Sequence, residues 1–162
     1  MKRLKYAVIL LLGLSMATMM TSCNKESSYQ DQIVGEWRWT KRVNYNYDTT
    51  GALVYEDVYD FLENDEEYEW KFYSDGKVVM PSWYWQKSDG ECVVDYVIEG
   101  STLLLGGHLA AEQDTYTIQE LTNSTLVLER EYSVNGYWNY EEQCYHEGQY
   151  RRVYSLEFNK VN

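Results

Sequence analysis

Histidine, cysteine and paired carboxylates are the side chains most able to do chemistry, and this chain of 162 residues holds two His, three Cys and 26 Asp+Glu. His146 lies two residues from Cys144 and beside Glu147, which together could offer ligands to a metal. No paired His or Cys spacing joins them to His108, so the sequence points to no metal centre. Asn44-x-Asn46-x-Asp48 imitates the first half of a calcium loop, but Thr49 stands where the turn glycine belongs and Tyr55 where the bidentate glutamate belongs. Nucleophilic catalysis needs a base beside Ser or Cys, and neither a Gly-x-Ser-x-Gly elbow nor a Cys/His signature is present. Acids are so numerous that two facing each other at a glycosidase distance would carry no weight. The reading is a non-catalytic protein that needs no cofactor.

What remains is aromatic: 17 Tyr, 6 Trp and 3 Phe. Trp83-Tyr84-Trp85 sets two indoles on one face of an extended segment, and Tyr137-Trp138-Asn139-Tyr140 does the reverse. Aromatic platforms stack on sugars or flat apolar ligands, which makes Trp70, Trp83 and Trp85 candidate contacts for a small-molecule ligand. The competing reading is that Trp and Tyr, good strand formers, are core. The segment from Asn135 to Tyr150, rich in Tyr and Trp, carries the alternative function, a protein-binding face on an accessory or structural protein of a larger complex.

These side chains must be positioned by strands. Trp37 and Trp39 share a face, with Arg38 and Thr40 opposite. Tyr68, Trp70 and Phe72 alternate with Glu69 and Lys71, and Asp75-Gly76 turns the chain into a run from Val78 to Gln86. Asp89-Gly90 joins that run to Glu91–Ile98, Glu99-Gly100-Ser101 leads into Thr102–Leu105, and Thr115–Leu121 is followed, after Thr122-Asn123-Ser124, by Thr125–Tyr132. Tyr150–Val161 closes the chain, with Tyr154, Leu156 and Phe158 on one face. Glu56–Glu67 is ambiguous between a short helix and a loop, and Asn135–Gln149 reads as an insertion. At least eight strands joined by short turns predict an all-β fold, an antiparallel eight-stranded up-and-down barrel, over residues 31–162.

Ahead of that domain, Lys2, Arg3 and Lys5 precede an apolar run from Ala7 to Met20, shorter than the roughly 20 residues of a membrane span and fitting a signal peptide over 1–22. Met20-Thr21-Ser22-Cys23 resembles the lipobox of bacterial lipoproteins. The resemblance implies that Cys23 is acylated and ties the chain to the cell envelope as an outer-membrane lipoprotein, through a tether over 23–30. Without the leader the charge is 11 basic residues against 26 acidic, or −15, which excludes nucleic acid as a partner. Cys92 and Cys144 are then an even pair in an oxidising compartment. They form either a disulfide closing about 50 residues, worth about 4 kcal/mol in the chain-entropy model, or two separate thiols.

Ile33-Val34-Gly35-Glu36-Trp37 resembles the Gly-x-Trp opening of lipocalins. Trp70-Lys71-Phe72-Tyr73-Ser74-Asp75-Gly76-Lys77, followed by Tyr116 to Leu128, is similar to the lipocalin-like lipoproteins of Bacteroidota. The resemblance spans about Gln32 to Tyr132, rests on Gly35 and Trp37 above all, and implies a calycin-type barrel; taken with the eight-strand count and the aromatic excess, that barrel leads to the expectation of a small apolar or aromatic-stacking ligand. The Thr-Asp-Tyr signature of true lipocalins is absent. Arg151 and Arg152 are both candidates for the late arginine that covers the first-strand tryptophan in that family.

Overall fold

The computed structural model describes residues 29–64, 67–81, 91–106 and 113–161. The leader over 1–22, Cys23, Trp83, Trp85 and His108 lie outside them. A helical turn over 29–33 takes in Tyr29 and Gln30, which the sequence reading gave to the tether, and packs Tyr29 against the core. Nine strands follow: β1 (Gly35–Tyr47), β2 (Leu53–Asp60), β3 (Glu69–Phe72), β4 (Lys77–Pro81), β5 (Glu91–Glu99), β6 (Thr102–Gly106), β7 (Gln113–Leu121), β8 (Thr125–Asn139) and β9 (Cys144–Lys160).

All the pairings are antiparallel, and β9 returns to pair with β1 and close the ring. On the other side of β1, β2 lies against Lys41–Tyr47 and β3 against Gly35–Arg38, both running in the same sense. They are two halves of one strand interrupted by 61–68. Nine segments therefore make an eight-stranded up-and-down barrel, the architecture the sequence predicts.

Two readings are corrected here. The first half of Glu56–Glu67 belongs to a strand, not to a helix or loop. Its half-buried side chains are Tyr55, Asp57 and Tyr59 while Val58 is exposed, so an apolar-in pattern was not there to be read. The strand stops where the Asp60 carboxylate accepts bonds from the Leu62 and Glu63 amides, at 2.9 and 3.0 Å, and so satisfies a turn over 61–64. Asn135–Gln149, read as an insertion before the final strand, is strand-paired and not a separate loop: β8 and β9 run on as one hairpin from Thr125↔Asn159 to Asn139↔Cys144, with a bulge between Val134 and Gly136.

The core fills the lower part of the barrel. Alternate residues point inward: Trp37 and Trp39 from β1, Trp70 and Phe72 from β3, Leu103 and Leu105 from β6, Tyr116 and Ile118 from β7, Leu126 and Leu128 from β8, Leu156 and Phe158 from β9. Trp39 meets Phe61 and Phe158 edge to face at 5.0 and 5.8 Å, and Trp70 meets Phe158 at 5.2 Å. Such aromatic pairs add about 0.5–1.5 kcal/mol each beyond the area they bury.

The bottom is sealed. Trp37 Nε1–H donates to the Ile33 carbonyl at 2.6 Å, and Ile33 is itself buried. The cation over the Trp37 ring is Lys160, at 5.0 Å, and neither arginine the resemblance offered: Arg151 lies over Tyr47 and Arg152 bonds Asn46. Both arginines sit midway along β9, far from Lys160. Gly35 takes φ +135°, and a Cβ there would come within 2.8 Å of Lys160 Cε, so the glycine lets the lysine reach Trp37.

Candidate functional site

Above Trp39 the inward face changes chemistry. Thr40 is an extra residue in the β1–β9 ladder, whose register shifts between Trp39 and Lys41. The bulge turns Arg42, Asn44 and Asn46 inward, where a straight continuation of Trp37 and Trp39 would have turned Lys41, Val43 and Tyr45. Across the ladder they meet Leu156, Tyr154 and Arg152 of β9, and beyond those Leu128, Arg130 and Tyr132 of β8. From β2 they face Tyr59, Asp57 and Tyr55.

This polar set is cross-linked. Asn44 Nδ2 donates to Asp57 at 3.1 Å, Arg42 Nη2 lies 3.9 Å from the same carboxylate, and the Arg42 guanidinium sits over Tyr59 at 5.2 Å. Arg152 Nε donates to the buried Asn46 at 2.8 Å. Arg130 forms an ion pair with Asp114 and lies over Tyr132 at 5.4 Å. Three arginines against two aspartates make the mouth net positive in a protein of charge −12.

Between these groups lies a cavity of about 310 Å³ lined by Tyr116, Arg130, Tyr132 and Tyr154. The Tyr116 hydroxyl is buried beside it and makes no hydrogen bond of ordinary geometry, and Arg42 Nε is in the same condition. Burial raises the pKa of Tyr116 strongly, neighbouring Tyr154 adds to this, and Arg130 acts the other way. Tyr154 is likewise pushed up to about 12 by burial, with Arg42 opposing. Both phenols are neutral donors at any physiological pH. An unsatisfied buried hydroxyl costs roughly 1–3 kcal/mol. Tyr116 with cationic Arg130 is suited to receive a ligand's acceptor or anionic group between aromatic walls.

Of the ligand contacts expected from sequence, Trp70 is fully buried at 0% exposure, wedged among Trp39, Phe72, Tyr116 and Phe158. It is core, because barrel closure turns the face it shares with Phe72 to the interior. The disulfide is not formed: Cys92 and Cys144 are both free. Cys92 belongs to the barrel core, whereas Cys144 is held at the end of the β8–β9 hairpin by other partners.

Those partners form a second cluster. Cys144 Sγ is 3.3 Å from His146 Nε2 and 3.6 Å from Glu142 Oε2, and the last two are 2.7 Å apart. Burial, then the hydrogen bond to Glu142, raises the Cys144 pKa, so it is a thiol at neutral pH. Glu142, and not the Glu147 considered from sequence, completes the group, since it stands on the turn that faces Cys144 and His146. The mouth residues Tyr116, Arg130, Tyr132 and Tyr154 were missed in the sequence as a site. The available signal was the switch from Leu126 and Leu128 to Arg130 and Tyr132 along one face of β8.

No family model matches the chain. No curated protein sequence matches it either. Among solved structures it is similar to the crystal structure of a lipocalin-like protein from Bacteroides uniformis, at 13% identity and a TM-score of 0.39, over 80% of this chain and 99% of that one.

Proposed function

We propose that this chain is a non-catalytic, lipocalin-like binding protein of the bacterial cell envelope, anchored through an acylated Cys23, that holds a small ligand at the mouth of its barrel. The lipobox-like Met20–Cys23 and the Gly35-x-Trp37 opening support the anchor and the family. The observation that carries the binding reading is the buried Tyr116 hydroxyl set beside Arg130 at a cavity of about 310 Å³, above a barrel packed with its own side chains. A ligand that fits has an anionic or acceptor group for Arg130 and Tyr116 and a flat apolar part for Tyr132 and Tyr154. Ligand chemistry thereby moves from Trp70 to the mouth.

The test is native mass spectrometry of the protein after incubation with an extract of a Bacteroidota envelope, under gentle and then denaturing ionisation. A discrete extra mass is expected, lost on denaturation and absent from Arg130→Gln and Tyr132→Ala. Bare protein under gentle conditions would sink the reading.

A second reading rests on the hairpin, where Trp138, Tyr140 and Tyr145 are 44%, 60% and 54% exposed. Aromatics left in water on a projecting element suit a protein partner. A second polypeptide that travels with the wild type and is lost from Trp138→Ala would favour an accessory lipoprotein over a carrier.

A further inference from the structure

We propose that Glu142, Cys144 and His146 form a zinc site at the tip of the β8–β9 hairpin. One carboxylate, one sulfur and one imidazole nitrogen lie within 4.8 Å of one another there. With Zn–S near 2.3 Å and Zn–N and Zn–O near 2.0 Å, a tetrahedral ion sets its sulfur about 3.5 Å from the other donors and those two about 3.3 Å apart. The sulfur already stands 3.3 and 3.6 Å from its neighbours. Only the 2.7 Å contact of Glu142 with His146 must open, by about half an ångström, as a metal replaces the hydrogen bond.

The three donors are held in place by their neighbours on the hairpin. Cys144 and His146, two apart on β9, share one face. The His146 ring stacks on Tyr137 at 5.0 Å with 7° between planes, which fixes the direction of Nε2. The buried Asn139 side chain accepts from the backbone amides of Glu141 and Glu142 at 3.0 and 3.1 Å. Gln143 takes a left-handed φ of 53°, alone among the described non-glycine residues, and bonds the Tyr140 carbonyl, closing the turn that brings Glu142 back to Cys144. Supports of this kind orient ligands and raise metal affinity.

The donor set selects the metal. Calcium and magnesium demand oxygen ligands, whereas mixed sulfur, nitrogen and oxygen donors suit zinc. On binding, the Cys144 thiol gives its proton to solvent, and thiolate plus carboxylate balance the ion's double charge. Three protein donors leave the fourth tetrahedral position to water or to a donor from outside the chain. This site is separate from the mouth and stands or falls independently of what binds there.

The test uses the whole chain, untagged, in detergent with a thiol-free reductant, titrated with Co²⁺ and then with Zn²⁺. One Co²⁺ per chain is expected, with a thiolate-to-metal charge-transfer band and tetrahedral d–d bands that one equivalent of Zn²⁺ abolishes. Cys144→Ser should remove the charge-transfer band, Glu142→Gln and His146→Gln should each weaken zinc at least tenfold, and Glu147→Gln should change nothing. Near-UV circular dichroism identical to wild type shows that each variant is folded. A band that is absent at stoichiometric cobalt, or that survives in folded Cys144→Ser, overturns the proposal.

Discussion

The lower and upper halves of this barrel are built from the same strands and filled on opposite principles. Below, the inward positions of β1, β8 and β9 read Trp37 and Trp39, Leu126 and Leu128, Phe158 and Leu156. Above, the same faces read Arg42, Asn44 and Asn46, Arg130 and Tyr132, Tyr154 and Arg152. No change of element marks the boundary: the strands continue, and only the chemistry of the inward face and the bulge at Thr40 separate the two. The lower half needs nothing but burial to hold it. The upper half spends stability on desolvated polar groups, among them the Tyr116 hydroxyl and Arg42 Nε, which make no hydrogen bond of ordinary geometry. Stability belongs to one end and the proposed recognition to the other.

That division can be broken by experiment. The largest effect belongs to the lower half: Trp70→Ala should cost about 3–5 kcal/mol in urea unfolding, because a fully buried indole leaves a cavity that its aromatic neighbours cannot fill. A loss under 2 kcal/mol would mean that the core is not where stability resides.

Next comes alkaline pH. Tyr154 titrates near 12 in the folded protein because it is buried, against about 10 when unfolded. A raised pKa means that the folded chain keeps a proton the unfolded chain has given up. Its contribution is present in full below pH 10 and is lost as pH climbs toward 12, by about 2–3 kcal/mol. Urea midpoints measured from pH 9 to 11.5 should fall, and Tyr154→Phe should flatten the decline.

A smaller and local effect is expected at the hairpin. A Cβ on Gly136 would come within 2.3 Å of the Tyr145 hydroxyl and 2.7 Å of the His146 carbonyl, so Gly136→Ala should loosen the tip by about 1–2 kcal/mol. Amide exchange should accelerate across 137–147 while the amides of β5 and β6 keep their protection. Faster exchange throughout would show that tip and barrel unfold as one unit.

The smallest effect has the opposite sign. Tyr116→Phe deletes a buried hydroxyl that meets only Arg130, outside ordinary hydrogen-bond geometry, so it should leave stability unchanged or raise it by up to about 1 kcal/mol, while weakening whatever the mouth binds. Destabilisation beyond 1 kcal/mol would mean that the hydroxyl has a protein partner and no role in recognition.

Much of the lower half was legible in the sequence and little of the upper. Trp37, Trp39, Trp70, Phe72, Leu156 and Phe158 alternate with polar residues, and the Asp75-Gly76 turn marks where β3 reverses into β4. Period two and turn chemistry suffice where the interior is apolar. The mouth defeats that reasoning for a physical reason. Thr40 adds one residue to β1, and a single added residue exchanges every later side chain between the two faces. In β2 the inward residues are two tyrosines and an aspartate, which no apolar count selects. Trp70 shows the reverse failure. Its aromatic character was plain, but whether an indole is core or platform depends on ring closure between β1 and β9, residues more than a hundred positions apart. At the hairpin tip, Cys144 and His146 were visible as a pair, but choosing Glu142 over Glu147 requires the shape of a four-residue turn.

The sealed bottom has a consequence for orientation. The helical turn over 29–33, the start of β1 and the end of β9 all meet there: Lys160 Nζ donates to the Gln32 carbonyl at 3.3 Å, and the Val161 amide to the Glu36 carbonyl at 2.9 Å. The chain therefore enters and leaves the domain through the same closed end. The ladder of β1 rises for 13 residues from that point before it reaches Tyr47, about 40 Å measured along an extended strand. Whatever holds the protein through residues before 29 grips it by its foot. The charged mouth and the aromatic hairpin are then carried at the far tip, like a cup set on its base with the rim facing away from the table.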